Sequence, residues 1–362
     1  MKQLLAYCLS IILCVSFTGC MENYLDLYPE DKITSASFPE NESDIKLLLN
    51  GVYAQLREKE VYNQGLFGFG ITDGATPNAF NWGTDEVFNK LGAGRLSSSD
   101  GGVVTYRWKR CYEIISRANY LLACMDLVDL SEEAKAKYSG ETHFLRGLAY
   151  SVLAETYGGV PIILTNISTE EARSLKRASL EETWQQALDD YEVAITNLGV
   201  DAPEPGRATK GAALGMKMRA YLYQGKYKEV LSCVEQIDAL KKYGLFHSYE
   251  GLFDPANENN KEVLFDIQYI EGENSQGSYI DQYCGTGTGS WTRGSRYVPT
   301  DDLVAAYETI DGSPVDPENP YENRDPRLGF TAVLPGSYFL GYRFPNYLYP
   351  GGAFNHAGNR LK

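Results

Sequence analysis

The chain has 362 residues, enough for one large domain or two smaller ones. Hydrophobic residues make up 43% and charged residues 22%, a balance typical of a protein that folds in water. The formal net charge of −15 argues against a nucleic-acid partner, because phosphate binding needs clustered Lys and Arg side chains. Neutral, cationic or polar uncharged ligands remain open.

The N-terminus predicts export. Lys2 precedes the apolar run LLAYCLSIILCVSF, which is too short for a membrane span and suits the hydrophobic region of a signal peptide. In SFTGC, small residues directly precede Cys20, as in a bacterial lipoprotein lipobox. We therefore expect residues 1–19 to be a lipoprotein signal peptide and Cys20 to be acylated, since two or more acyl chains anchor a protein stably. The alternative is an ordinary signal peptide cut at a nearby small residue.

The cysteines of the mature chain give no sign of a disulfide framework. Cys111 and Cys124 fall on one predicted helix roughly 20 Å apart, beyond disulfide reach. Neither they nor Cys233 and Cys284 show zinc spacing. We predict that these cysteines are small buried hydrophobes, and we assign no metal ligand and no cofactor.

The first part of the mature chain predicts a tether and then a helix. Residues 20–40 contain Pro29 and Pro39 and have no periodicity, so we expect an extended, lipid-anchored tether. The stretch ESDIKLLLNGVYAQLREKE then carries an apolar stripe at helical spacing. Its members are Ile45, Leu48, Leu49, Val52, Tyr53 and Leu56. Residues 62–103 are rich in Gly, Asn, Ser and Asp, which indicates a long, irregular loop insertion.

Three helices are predicted next. The first covers about 104–127, and the second about 132–157, ending at GGVP. The third begins at Ser179, where Glu182 completes a capping box. Their core stripes contain Trp108, Cys111, Ile115, Ala118, Leu122 and Met125 in the first helix, and Trp184, Leu188, Tyr191, Ile195 and Leu198 in the third. Trp108 and Trp184 are therefore expected to be structural.

A helical pair at about 208–240 resembles a tetratricopeptide repeat. The stretch AALGMKMRAYLYQGKYKEVLSCVEQI matches the turn glycine and the packing positions of that repeat. The matching residues are Tyr221, Gly225, Tyr227, Val230 and Val234. Such units bury their apolar faces by stacking, so we predict a mostly α fold with a tetratricopeptide-like scaffold of helical pairs over about 41–243. Any packed helical hairpin would give part of this match.

The remaining residues, about 244–362, predict a loop-rich part with short strands. EVLFDIQYI is suited to one strand. Beyond it, stretches such as CGTGTGSW and DGSPVDPENP are dominated by Gly, Pro and polar residues.

Catalytic constellations are not evident. His143 lies in a helical core pattern, and neither His247 nor His356 falls in a motif. GTGTG lacks the strand–turn–helix context of a dinucleotide site. The acidic pairs Asp189–Asp190 and Asp301–Asp302 are adjacent in sequence and are expected to be solvated surface rather than a glycosidase pair. We therefore predict no enzymatic activity.

Loop aromatics are the better candidates for a binding site. Two tryptophans lie among Gly, Asn, Thr and Arg in NAFNWGTDE and GTGSWTRGSRY. A ring presented on a loop can stack on the apolar face of a sugar while neighbouring polar groups bind its hydroxyls. The predicted ligand-binding residues are Trp82, Asn81, Trp291, Tyr297 and Arg296.

Seven stretches occur in order along the mature chain: YLDLYPEDKIT, RANYLLACMD, GETHFLRGLAYSVLAETYGGVPII, RASLEETWQQALDDYEVAITNL, GRATKGAALGMKMRAYLYQGKY, NENNKEVLFDIQY and RDPRL. Together they resemble the SusD/RagB family of outer-membrane nutrient-binding lipoproteins of Bacteroidetes. The resemblance covers nearly all of the mature chain, so residues 41–362 are expected to form a SusD-like domain.

The resemblance implies a surface-exposed lipoprotein of the outer membrane with no catalytic activity. Such a protein would bind an oligosaccharide or polysaccharide and deliver it to a TonB-dependent SusC-like barrel. RagB-type relatives keep open the alternative of peptide or protein capture, and a lipid-anchored glycosidase is disfavoured because no acid–base pair is found. Members of the family are usually longer, with a further helical segment near the C-terminus, so the C-terminal part is expected to be incomplete here, either because the sequence is truncated or because this member is shortened.

Overall fold

The computed structural model describes residues 38–58, 73–81, 90–97, 99–269, 297–339 and 342–343. These residues are mostly helical, as predicted. The helices are α1 (Glu42–Leu56), α2 (Val103–Cys124), α3 (Glu132–Tyr157), α4 (Thr169–Ser174), α5 (Leu180–Asn197), α6 (Lys210–Tyr223), α7 (Tyr227–Ala239), α8 (Asp301–Ala306) and α9 (Arg327–Thr331). The strands β1 (Ala79–Asn81) and β2 (Tyr297–Pro299) form one antiparallel pair, and β3 (Tyr338–Phe339) and β4 (Tyr342–Arg343) form another.

The long helix α3 lies at the centre of a helical array. It packs against α1, α2 and α5, while α5 packs on α6 and α6 on α7. Small residues on α3 allow the close approach of α5, since a Cβ at Gly147 would lie 3.1 Å from the carbonyl oxygen of Ala187. The predicted apolar stripes of α1, α2 and α5 all contribute to this core.

Helix ends agree with the capping signals in the sequence. Ser131 caps α3, and Ser179 and Glu182 form the predicted capping box of α5. Gly158, at the end of α3, has a φ of 75°, which favours glycine. Helix α2 ends at Cys124, slightly before the predicted end near 127. The positions of these helices were therefore readable from periodicity and caps.

A buried polar network joins three helices. The Arg146 guanidinium on α3 donates to both carboxylate oxygens of Asp190 on α5, with Nη2 to Oδ1 at 2.7 Å. Its Nη1 donates to Oδ1 of Asn119 on α2 at 2.8 Å. The prediction that Asp189 and Asp190 are both solvated was therefore wrong for Asp190, which is buried because it has a cationic partner.

The predicted strand EVLFDIQYI is not formed in its described part, residues 262–269. Strand pairing needs a neighbouring backbone, whereas this segment lies along the helices. Phe265 and Ile267 pack against the helical core, and the Phe265 ring centroid lies 4.9 Å from that of Phe144. The hydrophobic alternation therefore reflects packing on helices rather than a sheet.

The helical hairpin α6–α7 is present, but its outer face differs from the repeat prediction. Gly225 lies in the turn with a φ of 70°. Cys233 is the buried residue of α7, whereas Tyr227 and Val234, expected at packing positions, are exposed. Helix α7 packs chiefly on α6, and this packing leaves Tyr227 and Val234 exposed.

Three of the cysteines are described. Cys111, Cys124 and Cys233 are buried and free, as predicted for small hydrophobes, and Cys284 lies outside the described residues. Burial raises the pKa of the Cys111 thiol to about 12. Within the described ranges, none of the helices combines the length and the apolar character that a membrane crossing requires.

Candidate functional site

The structure brings together two of the residues predicted to bind ligand. Asn81 in β1 lies directly opposite Tyr297 in β2 in the antiparallel ladder. These positions belong to segments far apart in sequence, the 62–103 insertion and the loop-rich part. Trp82, Trp291 and Arg296 lie outside the described residues, and Cys20 does as well.

Further hydrogen bonds join the segments that flank the β1–β2 pair. Thr300 follows β2, and its backbone N–H donates to the carbonyl oxygen of Asn78 at 3.0 Å. Its hydroxyl donates to the carbonyl of Pro77 and accepts the backbone N–H of Leu303, which caps α8. Val298 in β2 is buried. Asn81 and Tyr297, the described neighbours of Trp82 and Arg296 in sequence, therefore lie in a hydrogen-bonded ladder.

A cavity of about 230 Å³ lies between α1, the turn at 204–207 and the segment 265–268. Its lining combines aromatic rings, such as that of Phe265, with amide and charged side chains, such as those of Asn50, Asp266 and Gln268. Gly206 has a φ of 79°, and a Cβ there would lie 2.7 Å from Cγ of Gln268. The turn thus approaches the 265–268 segment closely.

A buried network forms part of the cavity wall, since Tyr53 and Arg207 line the cavity. The Tyr53 hydroxyl donates to Oε2 of Glu141 at 2.7 Å and accepts the backbone N–H of Ala208 at 2.9 Å. The Arg207 guanidinium lies over the Tyr53 ring at 4.9 Å, and its Nη1 lies 3.5 Å from Glu141 Oε2. Burial raises the pKa of the Glu141 carboxyl, and burial together with Glu141 raises that of Tyr53. The network joins α1, α3 and the segment before α6.

Sequence reasoning missed this network. Glu141 and Arg207 lie in GETHFLRG and GRATKG, two stretches that carry the family resemblance, but nothing in their spacing links them. The available signal was chemical: a carboxylate such as that of Glu141, if buried, needs a cationic partner such as Arg207. Across the described residues, His, Cys, Asp and Glu side chains form no group of three that is suited to holding a metal ion.

An exposed aromatic cluster, formed by Tyr249, Phe253 and Phe330, was also missed. The ring centroid of Tyr249 lies 5.6 Å from that of Phe253 and 6.0 Å from that of Phe330. The spacing of the two aromatics in SYEGLF was visible in the sequence, but Phe330 comes from α9, far along the chain.

Two protein-family models match this chain. A family model described as "Starch-binding associating with outer membrane" matches residues 23–222, more than half of the chain. A second model, described as "SusD family", matches residues 261–359. "SusD-like protein P25" of Formosa agariphila is 26% identical over 321 residues, which are 82% of this chain and 58% of the relative.

Solved structures of SusD-like proteins superpose on this chain. A SusD-like carbohydrate binding protein from Bacteroides fragilis superposes with a TM-score of 0.75 at 27% identity, covering 85% of this chain and 62% of that one. Another SusD-like protein from the same species gives a TM-score of 0.71 at 25% identity, covering 86% and 64%. The chain thus spans roughly three fifths of the length of these relatives. By its family-model matches and its fold, the chain belongs to the SusD/RagB family.

Proposed function

We propose that this protein is a cell-surface lipoprotein that binds an oligosaccharide or polysaccharide and passes it to a TonB-dependent SusC-like transporter of the outer membrane. Family membership supports the proposal, as does the Bacteroides fragilis neighbour described as a carbohydrate binding protein. The observation that carries the binding site is the β1–β2 pairing, which sets Asn81 opposite Tyr297. Two candidate residues from segments far apart in sequence are thereby neighbours in one β ladder.

The chemistry of these residues suits a neutral glycan. Trp82 and Trp291 each offer a large ring for stacking on a pyranose, and Asn81, Arg296 and Tyr297 offer hydrogen-bonding groups. The net charge of −15 disfavours strongly anionic polysaccharides. A few stacked rings with hydrogen bonds give about −4 to −7 kcal/mol, a dissociation constant from the millimolar range to about ten micromolar. Many copies on one polysaccharide raise the effective affinity.

The N-terminal segment supports anchoring by lipid. Cys20 follows the lipobox-like SFTGC, and one matching family model is described as associating with the outer membrane. Acylation of Cys20 would hold the protein on the membrane surface. The protein would then act as a binding component without catalytic activity.

Calorimetry against a panel of neutral polysaccharides tests the binding site. We expect Trp82→Ala and Trp291→Ala each to weaken binding about three- to tenfold, as expected for the loss of one stacking ring. Tyr106→Ala, at an exposed aromatic on α2, is the control and should bind as the wild type does. Unchanged binding in both tryptophan variants would remove these residues from the site. Capture of peptides without glycan binding would favour the RagB-like alternative.

A further inference from the structure

The aromatic cluster is unusual because its rings are both clustered and exposed. Tyr249 is 50%, Phe253 71% and Phe330 50% exposed. Tyr249 is edge-on to Phe253, at an interplanar angle of 78°, and tilted by 41° relative to Phe330. Contiguous exposed apolar groups of this kind mark interaction sites on soluble proteins. Unlike the buried rings of the core, these rings offer their surfaces to a ligand.

Hydrogen bonds and packing fix both parts of the cluster. The backbone N–H of Gly251 donates to the Ser248 hydroxyl at 3.0 Å, and Nδ2 of Asn257 donates to the Gly251 carbonyl at 2.8 Å. Helix α9 is anchored by the buried Leu328. The Thr331 hydroxyl, next to Phe330, forms a hydrogen bond of 2.7 Å with that of Tyr307. A preformed surface loses little conformational entropy when a ligand binds.

Polar groups border the rings. Arg327 lies one helical turn before Phe330, so the two side chains share a face of α9. Its guanidinium is largely exposed and donates from Nε to Oδ1 of Asp325 at 2.9 Å. Donors and acceptors beside aromatic faces match a sugar, which has an apolar C–H face rimmed by hydroxyls. A purely apolar patch would lack these hydrogen-bonding groups beside the rings.

The charge of the chain narrows the class of ligand. With a net charge of −15, an anionic polymer or an anionic lipid surface would be repelled, whereas a neutral polysaccharide is not. The rings are tilted to one another rather than coplanar.

We propose that the aromatic cluster is a glycan-stacking surface that binds pyranose rings of a neutral polysaccharide through Tyr249, Phe253 and Phe330. It uses residues other than those at β1–β2 and so adds a second contact for the same long ligand. This inference rests on the proposed function, because it takes the ligand to be a glycan. Two contacts on one chain raise affinity more for a polysaccharide than for a short oligosaccharide.

Native affinity electrophoresis in gels containing a neutral polysaccharide tests the cluster. We expect Phe253→Ala and Phe330→Ala each to weaken retardation about three- to tenfold, and Phe253→Trp to retain it. Phe253→Leu separates stacking from general apolar contact and should behave like Phe253→Ala. Tyr227→Ala, at a position on α7 that is 67% exposed, is the matched control and should migrate like the wild type. Because the substituted side chains are exposed, thermal melting should show intact folds.

The outcomes separate the two proposals. If the wild type is retarded and both alanine variants are retarded equally, the cluster proposal is wrong and the proposed function stands. If the wild type is not retarded by any polysaccharide, the proposed function is wrong. The assignment of the cluster to glycan binding is then wrong as well. If Phe253→Leu keeps full retardation, or if the alanine variants lose a protein partner instead of the glycan, the cluster is a general apolar docking surface.

Discussion

Arg146 on α3 and Asp190 on α5 form a buried ion pair, with 2.7 Å between Nη2 and Oδ1. Asp190 and Arg146 illustrate what sequence alone does not reveal, because the two residues lie on different helices and 44 positions apart. The helical stripe of α5 was correctly predicted through Trp184, Leu188 and Tyr191, yet it gave no reason to place a carboxylate beside them. Only the fold supplies the cation that offsets part of the cost of burying Asp190.

Asp190→Asn is predicted to destabilise the protein by about 3–5 kcal/mol, because it leaves the buried Arg146 guanidinium without its counter-charge. Urea unfolding followed by circular dichroism measures the change. Asp189→Asn is the matched control, since the neighbouring Asp189 is exposed and accepts from the Gln185 amide at 2.7 Å. It should change stability by no more than about 0.5 kcal/mol. Equal effects of the two substitutions would contradict the role given to the Arg146–Asp190 pair.

His143 predicts a pH dependence of stability. Its Nδ1 lies 2.8 Å from the Ser139 carbonyl oxygen, and burial lowers its pKa from the ordinary value of 6.5. Below pH 6.5 the unfolded chain therefore binds a proton that the folded chain does not. Stability from this residue is present above pH 6.5 and is lost as the pH falls through the lower folded pKa, at about 1.4 kcal/mol per pH unit.

The difference between wild type and His143→Gln isolates this contribution. Urea unfolding on both sides of pH 6.5 should show a smaller loss of stability on acidification in the variant. The other ionisable groups are common to both proteins and cancel in the difference. Parallel curves for the two proteins would show that His143 does not titrate as its burial predicts.

At the scale of elements, the long helices could be located from the sequence, whereas short strands were expected in the loop-rich part but could not be located there. The bounds of α3 and the capping box of α5 follow from local signals, a periodicity and a cap, which the structure retains. The strand prediction for EVLFDIQYI was wrong because the alternation of apolar residues is equally compatible with packing on helices. The segment would form a strand only beside a neighbouring backbone with which it could pair. The short β1 was not predicted because its partner β2 lies in a different part of the chain.

Ser179→Ala tests the importance of local caps. Ser179 accepts the Glu182 N–H at 3.1 Å, and Glu182 accepts the Ser179 N–H at 2.7 Å. Loss of the cap should lower the free energy of unfolding by about 1 kcal/mol, because α5 packs in the core of the array. Ser168→Ala removes the same motif from the short α4, which has no buried residue, and should cost less. A larger loss from Ser168→Ala would contradict this ranking.

For the whole molecule, the order of the motifs carried more information than any one of them. Seven stretches in sequence pointed to the SusD/RagB family, and the family matches confirm this assignment. Of the candidate site residues, local chemistry selected Asn81 and Tyr297, whereas their pairing became visible only in the fold. The aromatic cluster was missed because Tyr249 and Phe330 meet only after the loop-rich part packs back.

Calorimetry of the wild-type protein tests whether this chain binds neutral polysaccharides. Titration with a panel of neutral polysaccharides, and with an anionic polysaccharide at matched concentration, gives the affinity and the charge preference together. We expect saturable binding of at least one neutral polysaccharide, in the millimolar to about ten micromolar range, and weaker binding of the anionic one. No heat of binding with any neutral polysaccharide, or a clear preference for the anionic one, would contradict it.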